Sequence, residues 1–230
     1  SATPPAIVLG GFNAYETSTA GGALSGVIKT KIAGATTSLD VIALNAGRTA
    51  ILTTFTGTVR VEVLNASDNS AALDGNGCRS SWTVIQTLSD PTFVGGDLGR
   101  KTVSFSLANS YPDVRLKIYS PVTSPTTIGC SNDNYANRPN AYANVSASDN
   151  DAQTAGTART LNNITFAGGA VVHKAGRNFT VRADAVNAAG TPAVTTNYTG
   201  APDVTVAACG GGAPCTPGFG TLTLTTTFAS

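Results

Sequence analysis

Two stretches of the chain, Ala33–Gly57 (AGATTSLDVIALNAGRTAILTTFTG) and Ala175–Gly200 (AGRNFTVRADAVNAAGTPAVTTNYTG), are near copies of one another. With one residue inserted before Gly47, ten positions find an identical partner: Ala33, Gly34, Ala43, Asn45, Ala46, Gly47, Ala50, Thr53, Thr56 and Gly57. Phe55 then meets Tyr198 and Ile51 meets Val194, exchanges of like shape. A period near 142 residues is far longer than the units of about 20–50 residues that stack into solenoids. It points to a duplicated domain. Duplicated small β-domains build length and display, whereas enzymes are usually organised around one specialised cleft.

The 230 residues suffice for two domains. Charged residues make up 12% of the chain, roughly half the ordinary share, so its surface must be hydrated largely by neutral polar groups. The 34 threonines, with abundant Ser, Asn and Gly, supply them. Thr and Val favour pleated, half-buried surfaces, while Gly, Asn and Pro favour turns, so the composition predicts an all-β chain. A net charge of +1 offers no electrostatic footprint for nucleic acid or an acidic membrane. No apolar run approaches the roughly 20 residues of a membrane-spanning helix. The chain holds no Met and opens on SATPP, as a processed chain or an excised fragment would.

Cys78 and Cys130 accompany the first copy, Cys209 and Cys215 the second. They lack the paired C-x-x-C hooks of a structural zinc site. Four cysteines permit three pairings, of which pairing within each copy is the simplest. Polar turns flank them, which favours disulfides over buried thiols and hence a secreted or surface-exposed protein.

Short strand signals separated by turns run along the chain. They cover Ala6–Leu9 (ended by Gly10-Gly11), Phe12–Thr17, Ala23–Lys31, Ser38–Leu44, Thr58–Leu64, Trp82–Leu88, Thr102–Leu107 and Val114–Tyr119. Tyr135–Asn140 forms a joint, followed by Ala141–Ser148, Phe179–Val186, Pro202–Ala208 and Thr221–Phe228. With no convincing helical period, this pattern predicts two tandem immunoglobulin-like β-sandwich domains over 1–137 and 138–230. In each copy the strand after Ala-Gly buries alternate side chains, the Asn-Ala-Gly or Asn-Ala-Ala-Gly run makes a hairpin turn, and the aromatic before Thr-Gly caps a sandwich edge. The second copy reads as incomplete, because little follows its Val204–Val206 strand except Thr221–Phe228. Either the piece was cut from a larger protein or a neighbour's strand completes its sheet.

The phrases FNAYETSTAGGALSGVIKTKIAG, LNASDNSAALDGNGCRSSWTVIQTLS, NRPNAYANVSASDNDAQTAGTAR and VVHKAGRNFTVRADAVNAAGTPAVTTNYTGAP resemble the Ig-like region of MshQ-like proteins. Those are large surface proteins of Gram-negative bacteria, associated with the mannose-sensitive haemagglutinin type IV pilus. The resemblance implies an extracellular, pilus-linked structural or adhesive role on β-sandwich domains, and it brings no catalytic or ligand residues with it.

Chemical candidates are sparse. His173 is the only histidine. A Ser-His-Asp triad would have to use it, but no G-x-S-x-G elbow is present, and a surface histidine at a strand start is the better reading. Asp68, Asp74 and Asn76, and separately Asp149 and Asp151, offer the oxygen ligands that calcium prefers, without EF-hand spacing. Asx turns explain the same residues without a metal. Trp82 is read as a core residue packed on a disulfide, with a sugar-stacking surface Trp as the alternative. Five N-x-[ST] triplets (Asn65, Asn144, Asn163, Asn178 and Asn197) decide little in so Thr- and Asn-rich a chain.

Three functional classes follow. The favoured one is a non-enzymatic structural or adhesive module, with other copies of the chain, pilus components or glycans as partners and no cofactor beyond the calcium candidate. The second is a filament subunit that exchanges the apolar strand Ala6, Ile7, Val8 and Leu9 with an open sheet edge of its neighbour. The third is a secreted carbohydrate-active protein, binding or cleaving. Cleavage would need a paired-carboxylate cleft, for which the chain offers no recognisable pair.

Overall fold

The computed structural model describes residues 8–149, 159–160 and 179–199. All the regular structure there is β except for one 3-10 turn. In chain order the strands are β1 (Leu9–Glu16), β2 (Lys31–Ile32), β3 (Thr37–Asn45), β4 (Gly57–Thr58), β5 (Arg60–Asn65), β6 (Thr83–Thr87) and β7 (Thr92–Phe93). There follow β8 (Arg100–Phe105), β9 (Tyr111–Ser120), β10 (Thr127–Cys130), β11 (Tyr135–Arg138), β12 (Ala141–Asp149), β13 (Arg159–Thr160) and β14 (Phe179–Val186).

One sheet has the order β1-β3-β8, and a larger one runs β2-β11-β9-β5-β6 with β10 added on β9. Their facing side chains form one apolar cluster: Phe12 and Ala14 from β1, Leu39, Val41 and Ala43 from β3, Val61 and Val63 from β5, Val114, Leu116 and Ile118 from β9. Each of these side chains contributes on the order of 1–3 kcal/mol by leaving water. Between them, Phe55 stands edge-on to both Phe12 (centroids 5.8 Å apart) and Phe93 (5.2 Å). The opposite face of β3 is covered too, where Ile42 and Leu44 pack with Tyr15, Leu24 and Ile51. Asp40 on that face takes the guanidinium of Arg100 at 2.7 Å and the hydroxyl of Thr102 at 2.5 Å.

Three expectations are corrected. Gly10-Gly11 does not end a strand but lies inside β1 as an irregularity between Leu9 and Gly11. The glycine is needed because a Cβ at Gly10 would run into the backbone of Asn45 and Ala46. Ala23–Lys31 is not a strand apart from Lys31. Side chains occupy its backbone groups instead: Asn13 Nδ2 donates to Leu24 O (2.8 Å), Tyr15 Oη to Ala23 O (2.9 Å), and Ile28 N–H donates to Asp133 Oδ2 (2.6 Å). The joint is also narrower than expected, since Tyr135–Arg138 is β11 of the larger sheet and the crossing falls at Pro139–Asn140.

A third sheet, β13-β12-β14, lies beyond that crossing. Its register matches the first: Gly11 and Phe12 face Leu44 and Ala43, as Ala141 and Tyr142 face Val186 and Ala185. The duplication therefore extends to the strand before the copied stretch, with β12 standing for β1 and Tyr142 for Phe12.

Candidate functional site: the junction between the repeats

The copied turn is built the same way twice. Asn45 Oδ1 accepts the amides of Thr49 (2.8 Å) and Ala50 (3.2 Å), while Asn187 Oδ1 accepts those of Ala189 (3.2 Å) and Ala193 (3.0 Å). Asn45 N–H bonds Ala50 O at 3.0 Å and Asn187 N–H bonds Ala193 O at 2.9 Å. The turn closed by Asn187 is one residue longer, which is where the inserted residue goes. An asparagine carboxamide that accepts nearby amides is a standard turn device.

The two turns differ in what they meet. Ala46 is exposed on the first. The second turn is docked on the first unit: Ala188 N–H donates to Ala33 O (2.7 Å) and Asn187 Nδ2 to Ala108 O (3.1 Å). Ser110 N–H donates to Thr196 O (3.2 Å) and Thr196 N–H to Asn109 Oδ1 (3.2 Å). On the first unit, Gly34 N–H holds Leu107 O (2.7 Å), and Asn137 Nδ2 holds Asn109 O (2.7 Å) and Leu107 O (3.4 Å). Gly34 itself has φ +80°, and a Cβ there would stand 2.8 Å from the Ala189 nitrogen and 2.9 Å from that of Ala188. The Ala-Gly of one copy is thus the seat for the Asn turn of the other.

The aromatic that closes each copy also keeps its partner. Where Phe55 meets Phe12, Tyr198 meets Tyr142, with centroids 6.3 Å apart and hydroxyls 2.8 Å apart. Burial first, then the hydrogen bond to Tyr198 and its charge, push the Tyr142 hydroxyl up to about 12.

Cys78 and Cys130 form a disulfide, and Trp82 is buried with both, beside Leu64 and Ala66. The Arg115 guanidinium lies 5.2 Å over its ring, so Trp82 is a core residue. Cys209, Cys215 and His173 lie outside the described residues, as do Ala6 and Ile7. Of the other strand-exchange residues, Val8 is exposed and Leu9 pairs with Asn45 of its own chain.

The calcium candidates are engaged in turns. Asp68 Oδ1 accepts the amide of Ser70 (2.9 Å), and hydrogen bonding from Ser70 holds its carboxyl below the usual value. Asp74 Oδ1 accepts the amides of Asn76 (2.8 Å) and Cys78 (2.9 Å), while Asn76 Oδ1 takes the Arg48 guanidinium (3.0 Å). Among the described residues no three His, Cys, Asp or Glu side chains gather as a metal-ligand group. No helix among them is long and apolar enough to cross a membrane.

No protein-family model, curated protein or solved structure matches the chain.

Proposed function

We propose that the chain is a non-enzymatic structural and adhesive module of a pilus-associated bacterial surface protein, made of two immunoglobulin-like β-sandwiches in series. The observation that carries this reading is the junction. One duplicated unit receives the other through backbone hydrogen bonds at Ala33 and Ser110 and through the buried Asn187 carboxamide. A coupled pair of β units suits a part that sets spacing and bears load. The Cys78–Cys130 bond suits an oxidising compartment, and the resemblance to MshQ-like proteins supplies the pilus. Immunogold labelling of intact producing cells should decorate the outer surface around the pili. Label that appears only after the cells are permeabilised would overturn the reading.

The junction makes its own prediction. In Gly34→Val a branched side chain must adopt φ +80°, a conformation that costs about 1–2 kcal/mol, and it must displace the Ala188–Ala189 backbone. Hydrogen exchange at the Ala188 amide should accelerate roughly tenfold or more, in line with that cost, while the amides of β5 and β9 keep their protection. Unchanged exchange at Ala188 would show that the contact does not hold the units together.

A further inference from the structure

A lysine paired with a glutamate, and an asparagine that also braces the Leu107–Asn109 loop of the junction, come from neighbouring elements of the first unit. Lys31 of β2 and Asn137 of β11 are register partners in two parallel neighbouring strands. Such strands run about 4.8 Å apart, and paired residues project to the same face. Glu16 belongs to β1 in the other sheet, and its carboxylate accepts the Lys31 ammonium and, at 2.9 Å, the amide of Lys29. The Lys31 nitrogen therefore reaches from one sheet to the other. The Lys31 and Glu16 side chains are only 17% and 13% exposed, and Asn137 is 2% exposed. Tyr135, two residues before Asn137, is raised above the usual phenol range by burial first and then by the charge of Glu16, which puts that carboxylate near the same enclosed space.

We propose that Lys31 and Asn137 are joined by a self-formed isopeptide bond, with Glu16 as the proton carrier. The reactants and the proton relay are all in this unit, so the proposal does not depend on the surface-protein reading. Glu16 takes a proton from the Lys31 ammonium, and the freed amine adds to Cγ of Asn137. The bond from Nζ to Cγ forms and the bond from Cγ to Nδ2 breaks. Of the three protons on the Lys31 ammonium, one stays on the new amide. The other two leave with Nδ2 and its own two protons as ammonium, and Glu16 ends as the carboxylate it began as. No oxidant, metal or other reactant is required. An unactivated carboxamide resists amines in water, but holding the two groups side by side is worth an effective concentration on the order of 10⁵ M or more, and a carboxylate in contact supplies the acid–base catalysis. The hydrogen bonds from Asn137 Nδ2 to Asn109 O and Leu107 O keep the carboxamide from turning while this happens.

The second unit is an internal control. There Ala147 faces Val181 where Glu16 faces Leu39, and the copied sequence puts His173 in the place of Lys31. One bond is therefore expected per chain, tying the β2 strand of the first unit to the strand that leads into the second.

Mass spectrometry of the intact purified chain decides the matter. With disulfides reduced, the wild type should be lighter than its sequence by one ammonia, and a protease digest should contain one branched peptide joining Lys31 to Asn137. Lys31→Arg keeps a cation for Glu16 but has no amine to add, and it should restore the full sequence mass, as should Asn137→Ala. Glu16→Gln should leave the chain largely unlinked. A wild-type chain of full sequence mass overturns the proposal and leaves Asn137 as a staple for the loop at Leu107–Asn109. An ammonia loss that persists in Lys31→Arg overturns it too, because a cyclised asparagine such as Asn76, before Gly77, would give the same mass without Lys31.

Discussion

Replacing Cys78 and Cys130 together with alanine is expected to cost about 4 kcal/mol of unfolding free energy. The bridge spans 52 residues, and on the chain-entropy account a closed loop of that length restricts the unfolded chain by about that amount. The native state supports the bond on both sides. Cys130 N–H donates to Asn76 O at 3.1 Å and Cys78 N–H to Asp74 Oδ1 at 2.9 Å, so the two strands of chain remain adjacent when the sulfurs are gone. Alanine fits this buried apolar cluster of Leu64, Ala66 and Trp82 without introducing a polar group. Nearly all of the loss should thus come from the freer unfolded chain, and a urea titration should show a lower midpoint with a somewhat larger m-value. Reduced wild type should fall to the same midpoint as the double variant. A loss below about 1 kcal/mol would mean that residual structure already closes the loop in the denatured chain. As domains are stable by only about 5–15 kcal/mol, a loss of the expected size would leave the first unit marginal under reducing conditions.

That disulfide, with the β3 strand and the core position of Trp82, was legible from the residues alone. Leu39, Val41 and Ala43 alternate with period 2, and all three are fully buried. Asp40, Ile42 and Leu44 on the other face are buried too, so the strand was legible but its expected one-sided burial is not what the fold shows. The strands that escaped are those whose requirements lie elsewhere in space. β10 includes Gly129, whose Cβ would stand 2.7 Å from the Phe12 nitrogen, and no local pattern announces that approach. Ala23–Lys31 is apolar enough to suggest a strand, yet Asn13, Tyr15 and Asp133 satisfy its backbone from other parts of the chain. The shared triplet Asn-Ala-Tyr, at Asn13–Tyr15 and Asn140–Tyr142, even points the wrong way. Tyr142 takes the place of Phe12, opposite Ala185 as Phe12 is opposite Ala43, whereas Tyr15 faces Asp40. The junction was visible only as letters. Ala33-Gly34 and Asn187-Ala188 are both copied elements, but repetition within each copy does not say that the first element of one copy seats the turn of the other. The Lys31–Asn137 pairing was hidden for a similar reason, being set by a parallel contact between strands more than a hundred residues apart.

Phe93→Ala is expected to destabilise the first unit by about 3–5 kcal/mol, the range for deleting a buried ring from a packed core. Phe93 is 1% exposed and pairs with Gly57, the last residue of the copied stretch. Its ring meets Phe55 at an interplanar angle of 66°, and Phe55 in turn meets Phe12 at 76°. Removing it therefore opens a cavity and also takes away an edge-to-face contact worth about 0.5–1.5 kcal/mol. Phe93→Leu refills most of the volume and should lose clearly less. In the second copy the matching pair is Tyr142 and Tyr198, whose hydroxyls bond each other at 2.8 Å. Tyr198→Phe removes that bond but keeps the ring, and since a typical hydrogen bond contributes only about 0.5–1.5 kcal/mol, its effect should be several-fold smaller than that of Phe93→Ala. Chemical denaturation of the three variants measures the order. If Phe93→Ala cost no more than Tyr198→Phe, the aromatic trio would not be the keystone of the first unit, and its stability would have to rest on the β3, β5 and β9 aliphatic layer alone.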